Sequence, residues 1–179
     1  MISDDKKMYK EKKFIQNLWF NFNNNPKKKI LKYIIYCRKC QFYKERKNKN
    51  LSKLLFIYYT RKKNKLGNKI NLEINTGNFK KNLMIYHRNI VINPKAVIGE
   101  NCKLHGNNCI GNNGNDKVPV IGDNVDIGFG AVLIGDIYIA DGIIIGANAL
   151  VNKSFYEKNI IIAGNPAKKI KEKGEQNER

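Results

Sequence analysis

At 179 residues the chain can hold one domain with a real core and an appendage, and it is too short for two ordinary globular domains. Its formal charge of +19 is unevenly placed: residues 1–70 hold 21 Lys and Arg against 4 Asp and Glu, and residues 71–179 hold 13 against 11. No apolar run approaches the ~20 residues of a membrane span, and the opening MISDDKKMYKEKKFIQNLWF lacks the apolar stretch and cleavage site of a secretory signal, so a cytoplasmic location is expected.

Residues 8–65 carry apolar side chains three and four apart, at Phe14, Leu18, Trp19 and Phe22, then Ile30, Ile34, Ile35 and Cys37, then Leu51, Leu54, Leu55 and Tyr58. That spacing predicts two or three short amphipathic helices, separated at Asn23–Pro26 and at the Lys/Asn stretch 46–50. Gly67-Asn68 is expected to end the helical region. The basic charge has two readings: the Lys, Asn and Ile usage of an A/T-rich coding sequence, or a surface for an anionic partner. No homeodomain, zinc-finger or RNA-binding aromatic signature accompanies it, so nucleic acid is not expected. Peripheral contact of residues 1–66 with an anionic membrane surface stays open. Cys37-x-x-Cys40 has no second CxxC and no thioredoxin-like context, which favours packed thiols over a zinc or redox site.

From Ile92 the sequence repeats with a period of six. Aliphatic residues fall at Ile92, Ile98, Leu104 and Ile110, and again at Ile121, Ile127, Leu133, Ile139, Ile145 and Val151. Four positions after them stand mostly small or medium residues: Ala96, Cys102, Asn108, Gly114, Val125, Ala131, Ile137, Ile143 and Ala149. Gly often follows the aliphatic directly, as at Gly99, Gly111, Gly122, Gly128 and Gly146, where it is expected to accept turn dihedrals. A six-residue period drifts off a helical face. It suits a coil of three short strands, stacked so that each coil covers the next. A looser series, Ile74, Phe79, Ile85 and Ile90, adds about one coil at the front, and residues 111–119 are expected to leave the coil as a loop.

The repeat, followed by AGNPAKKI, resembles the left-handed parallel β-helix acyltransferases. LEI at 72–74, IYHRNIVIN at 85–93 and IGENCKLHGNNCIG at 98–111 most resemble the serine acetyltransferase-like branch, which includes capsule and lipopolysaccharide O-acetyltransferases. The resemblance covers about residues 66–170. It implies a mainly β fold with three parts: a basic helical region at 1–66, a β-helix at 67–170 and a charged tail at 171–179. It also implies a homotrimer whose cofactor groove lies between neighbouring β-helices.

By that resemblance His87 is the general base and Glu73 its acidic partner. An alcohol attacks a thioester poorly until a base takes its proton, and imidazole suits that task near neutral pH. Acetyl-coenzyme A is the implied co-substrate, with Gly111, Gly130, Ala131, Ala149 and Lys168 at matching cofactor positions. His105 stands in an outward position that Gly usually fills. With only two histidines, a three-imidazole zinc site is not expected, and no metal is assigned.

Tyr86 precedes His87 where the serine enzymes carry Asp, and Lys117-Val118 replaces their Arg-His pair. A zwitterionic acceptor needs both charges paired, so the expectation is a saccharide or cell-surface glycan precursor, with Tyr86, His105 and Lys117 at the acceptor. L-serine O-acetylation in cysteine biosynthesis is the alternative. A non-catalytic β-helix scaffold with anionic-surface-binding helices is the second.

Overall fold

The computed structural model of the protein describes residues 2, 26–46, 50–74, 79–114 and 116–174. Among the described residues two helices precede the strands, α1 (Pro26–Glu45) and α2 (Asn50–Ile70); the stripe Phe14, Leu18, Trp19 and Phe22 lies outside the described residues. Pro26 opens α1, where its missing N–H costs nothing. Ile30, Tyr33, Ile34 and Cys37 recur at helical spacing and are buried. The helices pack as a hairpin, with the Tyr43 and Tyr59 rings stacked at 5.6 Å. Cys37 and Cys40 are both buried on α1, and burial pushes the Cys37 thiol up to about 12, which makes it an inert core residue.

The helix does not end at Gly67. It runs on to Ile70, and Gly67 is buried within it. A Cβ there would stand 2.6 Å from the Leu72 carbonyl oxygen and 2.9 Å from the Tyr33 ring, so close packing demands the glycine, not a turn.

Fourteen strands follow among the described residues, β1 (Leu72–Ile74), β2 (Met84–Ile85), β3 (Ile90–Ile92), β4 (Val97–Ile98), β5 (Lys103–Leu104), β6 (Cys109–Gly111) and β7 (Val120–Ile121), then β8 (Asp126–Ile127), β9 (Val132–Ile134), β10 (Tyr138–Ile139), β11 (Ile144–Ile145), β12 (Leu150–Val151), β13 (Ile160–Ala163) and β14 (Lys168–Glu172). They form three faces. One sheet stacks β1, β3, β6, β9 and β12, a second β4, β7 and β10, and a third β2, β5, β8, β11 and β13 in parallel, with β14 antiparallel at its end. This is a left-handed parallel β-helix. All ten aliphatics of the hexad series are buried, as are the corner residues Ala96, Cys102, Asn108, Val125, Ala131, Ile137, Ile143 and Ala149.

Gly114 is not a corner residue: it is exposed, with φ +98°, in the loop between β6 and β7. That loop leaves the coil between the first and second sheets. Lys103 pairs with Asp126, whereas Leu72 pairs with Ile90, so the coil holding the loop is longer by five residues.

The turns follow a chemistry that the hexad pattern did not predict. The described non-glycine residues with positive φ are all asparagines: Asn71, Asn82, Asn89, Asn101, Asn107, Asn124, Asn148 and Asn159. Asn tolerates the left-handed region better than other side chains, because its short amide bonds locally. The amides also stack, with Asn82 donating to Asn101 at 2.8 Å and Asn101 to Asn124 at 3.3 Å. Gly99, Gly122, Gly128 and Gly146 do not have positive φ; a Cβ on any of them would run into the next coil.

Candidate functional site

His87 follows β2 at the corner leading from the third sheet to the first, and its ring is exposed. Continuing the strand register puts His87, Gly106, Phe129, Ala147 and Gly164 in one column along that corner. Gly106 adopts φ +112° and has no side chain to displace His87: an added Cβ would stand 2.5 Å from the His87 Cβ. The imidazole therefore reaches across Gly106 to Phe129 on the coil beyond, with ring centroids 6.3 Å apart, edge to face.

Asn108 holds this turn. It is buried and fully bonded, accepting from the Gly106 N–H at 2.9 Å and donating to the carbonyls of Gly128 at 2.8 Å and Ala131 at 3.3 Å. Among the buried corner residues Asn108 is the polar one, which is the signal the sequence carries for this turn.

The second histidine has a different setting. His105 Nε2 lies 2.7 Å from Asp126 Oδ1, Lys103 Nζ lies 3.5 Å from Asp126 Oδ2, and the Tyr86 ring covers His105 at 4.8 Å between centroids. Tyr86 is thus committed to His105.

Glu73 is on the outward side of β1, in register with Val91. It lines a surface cavity of about 500 Å³ that runs past Asn71, Asn89 and Asn107 to the exposed thiol of Cys109. Among the described residues, Glu73 and His87 share no hydrogen bond or ion pair. The residue after His87, Arg88, is exposed, and its guanidinium has no hydrogen bond or ion pair among the described residues. Its position in the chain could have flagged it.

Gly111 stands apart from the other repeat glycines. A Cβ there would meet nothing within 4 Å, so the coil does not require glycine at this place. Gly130 has φ +74° and serves a turn, and Ala131 and Ala149 are buried core residues, so a ligand could reach only their backbone. Lys168 is exposed and has no ion pair among the described residues, whereas its neighbour Lys169 is tied to Glu157 at 2.6 Å. Lys117 is paired with Asp136 at 2.6 Å, and Val118 is packed against the core. No group of three or more potential metal ligands occurs among the described residues.

No family model matches the sequence. The chain is 34% identical over 98 residues to the serine acetyltransferase of Staphylococcus epidermidis, covering 52% of this chain and 46% of that protein. It is 38% identical over 82 residues to mitochondrial serine acetyltransferase 3 of Arabidopsis thaliana, covering 44% of this chain and 21% of that protein. The chain thus spans less than half the length of these curated relatives. Among solved structures, soybean serine acetyltransferase superposes with a TM-score of 0.72 at 22% identity over 94% of this chain and 67% of its own. Brucella abortus serine acetyltransferase in complex with coenzyme A gives 0.71 at 21% identity over 97% and 67%. Neisseria gonorrhoeae serine acetyltransferase in complex with serine gives 0.65 at 25% over 93% and 66%. The similarity supports a hexapeptide-repeat acyltransferase.

These findings overturn the saccharide acceptor. The relatives and neighbours are serine acetyltransferases, and none named here belongs to the capsule or lipopolysaccharide branch. The expectation rested on the uncharged Tyr86 and Val118, while the exposed Arg88, next to His87, and Glu73, on β1, also carry charge.

Proposed function

We propose that the chain transfers the acetyl group of acetyl-coenzyme A to the hydroxyl of L-serine, with His87 as general base. The observation that carries this reading is the exposed imidazole of His87 over Gly106, with the exposed Arg88 next to it in the chain, in a repeat whose relatives are serine acetyltransferases.

His87 takes the serine hydroxyl proton as the oxygen attacks the thioester carbonyl carbon. Negative charge passes to the carbonyl oxygen, for which the side-chain-free Gly111 leaves space. The intermediate collapses, the carbon–sulfur bond breaks, and the departing thiolate takes the proton from the imidazolium. Arg88 pairs the acceptor carboxylate. Glu73 supplies negative charge beside the acceptor ammonium and the imidazolium, while Tyr86 and His105 wall the acceptor on the third sheet.

The coenzyme lies along the corner column. Coils about 4.8 Å apart put His87 roughly 19 Å from Gly164, and Lys168 follows closely as a flexible cation for phosphates. Gly130, Ala131 and Ala149 contribute backbone to the wall, which a neighbouring copy in a homotrimer completes. Lys117, tied to Asp136, shapes the loop.

The test is thiol release from acetyl-coenzyme A with L-serine. Saturable turnover is expected. Arg88→Gln should raise the KM for L-serine about tenfold, with kcat within a factor of about three, since a charged hydrogen bond contributes roughly 1.5–3 kcal/mol. Thiol release no faster with L-serine than without it would remove this acceptor.

A further inference from the structure

From Pro26 to Ile70 the sequence carries 16 Lys and Arg against a single acid, Glu45. Some of these cations bond within the fold: Lys39 donates to Tyr59 Oη at 3.0 Å, Lys63 to the Ile74 carbonyl at 3.4 Å, and Arg38 to two carbonyls. Arg38 is buried and donates to the carbonyls of Phe79 and Lys80. Most of the rest are exposed, so the A/T-rich composition explains their abundance but not what they do together.

Their arrangement on α2 is specific. Leu51, Leu54, Ile57 and Tyr58 are 67%, 65%, 49% and 50% exposed, which is unusual for four large apolar side chains on one helix. At 3.6 residues per turn they share a face with the exposed Arg61, Lys62, Lys65 and Lys69 one to three turns further on. The face is apolar in its first half and cationic in its second. Lys62 Nζ lies 5.4 Å from the Tyr58 ring centroid at the junction. On the neighbouring helix, Phe42 is exposed with the Arg46 guanidinium 4.1 Å from its ring centroid.

We propose that this face of the α1–α2 hairpin docks on the surface of an anionic lipid bilayer. The cations meet phosphate headgroups, and the leucines, Ile57 and Tyr58 enter the boundary between headgroups and acyl chains. Charge complementarity fixes the sign of the partner, and the aliphatic ridge fixes its class. A nucleic acid would use the cations but gives exposed Leu51, Leu54 and Ile57 little to bury against. No described helix is long and apolar enough to cross a membrane, so the contact is peripheral. The surface lies on the helices and not on the β-helix corner, so its test is independent of acetyl transfer.

Vesicles of phosphatidylcholine, with and without phosphatidylglycerol, sedimented with the full chain provide the experiment. Binding is expected to the anionic vesicles and not to phosphatidylcholine alone, and to weaken as salt rises. Arg61→Gln, Lys62→Gln and Lys65→Gln together should weaken it about a hundredfold, from roughly fivefold per surface cation. Leu51→Gln with Leu54→Gln should weaken it about tenfold or more through lost apolar burial. Both variants alter exposed side chains, and unchanged circular dichroism and unchanged thiol release with L-serine in solution serve as folding controls. Equal binding to uncharged vesicles, no vesicle binding by the wild type, undiminished binding by either variant, or tighter binding to single-stranded RNA than to anionic vesicles would each overturn the proposal.

Discussion

Asn101 sits in the left-handed region at φ 55° and joins two neighbours through its amide, accepting from Asn82 and donating to Asn124. Alanine there would strain the backbone by about 1–2 kcal/mol and break both ladder bonds. Asn101→Ala should therefore destabilise by about 2 kcal/mol, and Asn101→Gly by about half that or less, measured by the denaturation midpoint. Equal effects would show that the φ requirement is not what selects asparagine. The sequence made the six-residue period and its inward aliphatics plain, because each aliphatic is dictated by burial. The asparagines were harder to read. In a chain rich in Asn by composition, a turn residue looks like background, and only φ separates the two. Gly111 was hidden for the opposite reason: it falls where the repeat usually puts glycine, yet the coil leaves open space around it.

At the scale of elements, a stack of coils has two open ends whose backbone groups would go unpaired or recruit other chains. Helix α1 covers the first. Tyr33 Oη donates to the Ile74 carbonyl at 3.1 Å and accepts from the Ile74 N–H at 3.0 Å, while Arg38 binds the Phe79 carbonyl at 2.8 Å and stacks on the Phe79 ring at 4.2 Å. The antiparallel strand β14 covers the other end. Arg38→Met keeps the apolar stem but strips two carbonyls of a charged donor, and should cost about 3 kcal/mol. Arg61→Gln, on the exposed face, should stay within about 0.5 kcal/mol. Denaturation of the two variants side by side checks the contrast, and equal stability would refute the capping role. Of the apolar residues at helical spacing, Ile30, Ile34 and Cys37 are buried and Ile35 is half-buried, whereas Leu51, Leu54 and Tyr58 on α2 are exposed. The spacing could not show that Arg38 joins the buried ones, since its partners, 41 and 42 residues on, are backbone atoms whose position depends on the fold. Gly67 misled for a similar reason, being required by contact with Tyr33 and Leu72.

For the whole molecule, Val97, Val120 and Tyr138 stand in register on the second sheet, each around two-fifths exposed. This apolar column is what the proposed homotrimer would cover, and light scattering should find a trimer that Val97→Lys with Val120→Lys splits into monomers. A wild-type monomer with full activity would remove the shared groove. The acceptor was the least legible feature, because a motif read position by position takes no account of an adjacent charge such as Arg88, for which pairing of the acceptor carboxylate is proposed. The assignment of the base to His87 rests on its exposed place over Gly106, whereas His105 is held by Asp126 at 2.7 Å. The deciding measurement is kcat for thiol release with L-serine in His87→Ala and His105→Ala, compared with the wild type. Loss of about 10²–10⁴ in His87→Ala, the usual share of a general base, with His105→Ala retaining turnover within about tenfold, is the expected result. Near-normal turnover in His87→Ala would contradict it.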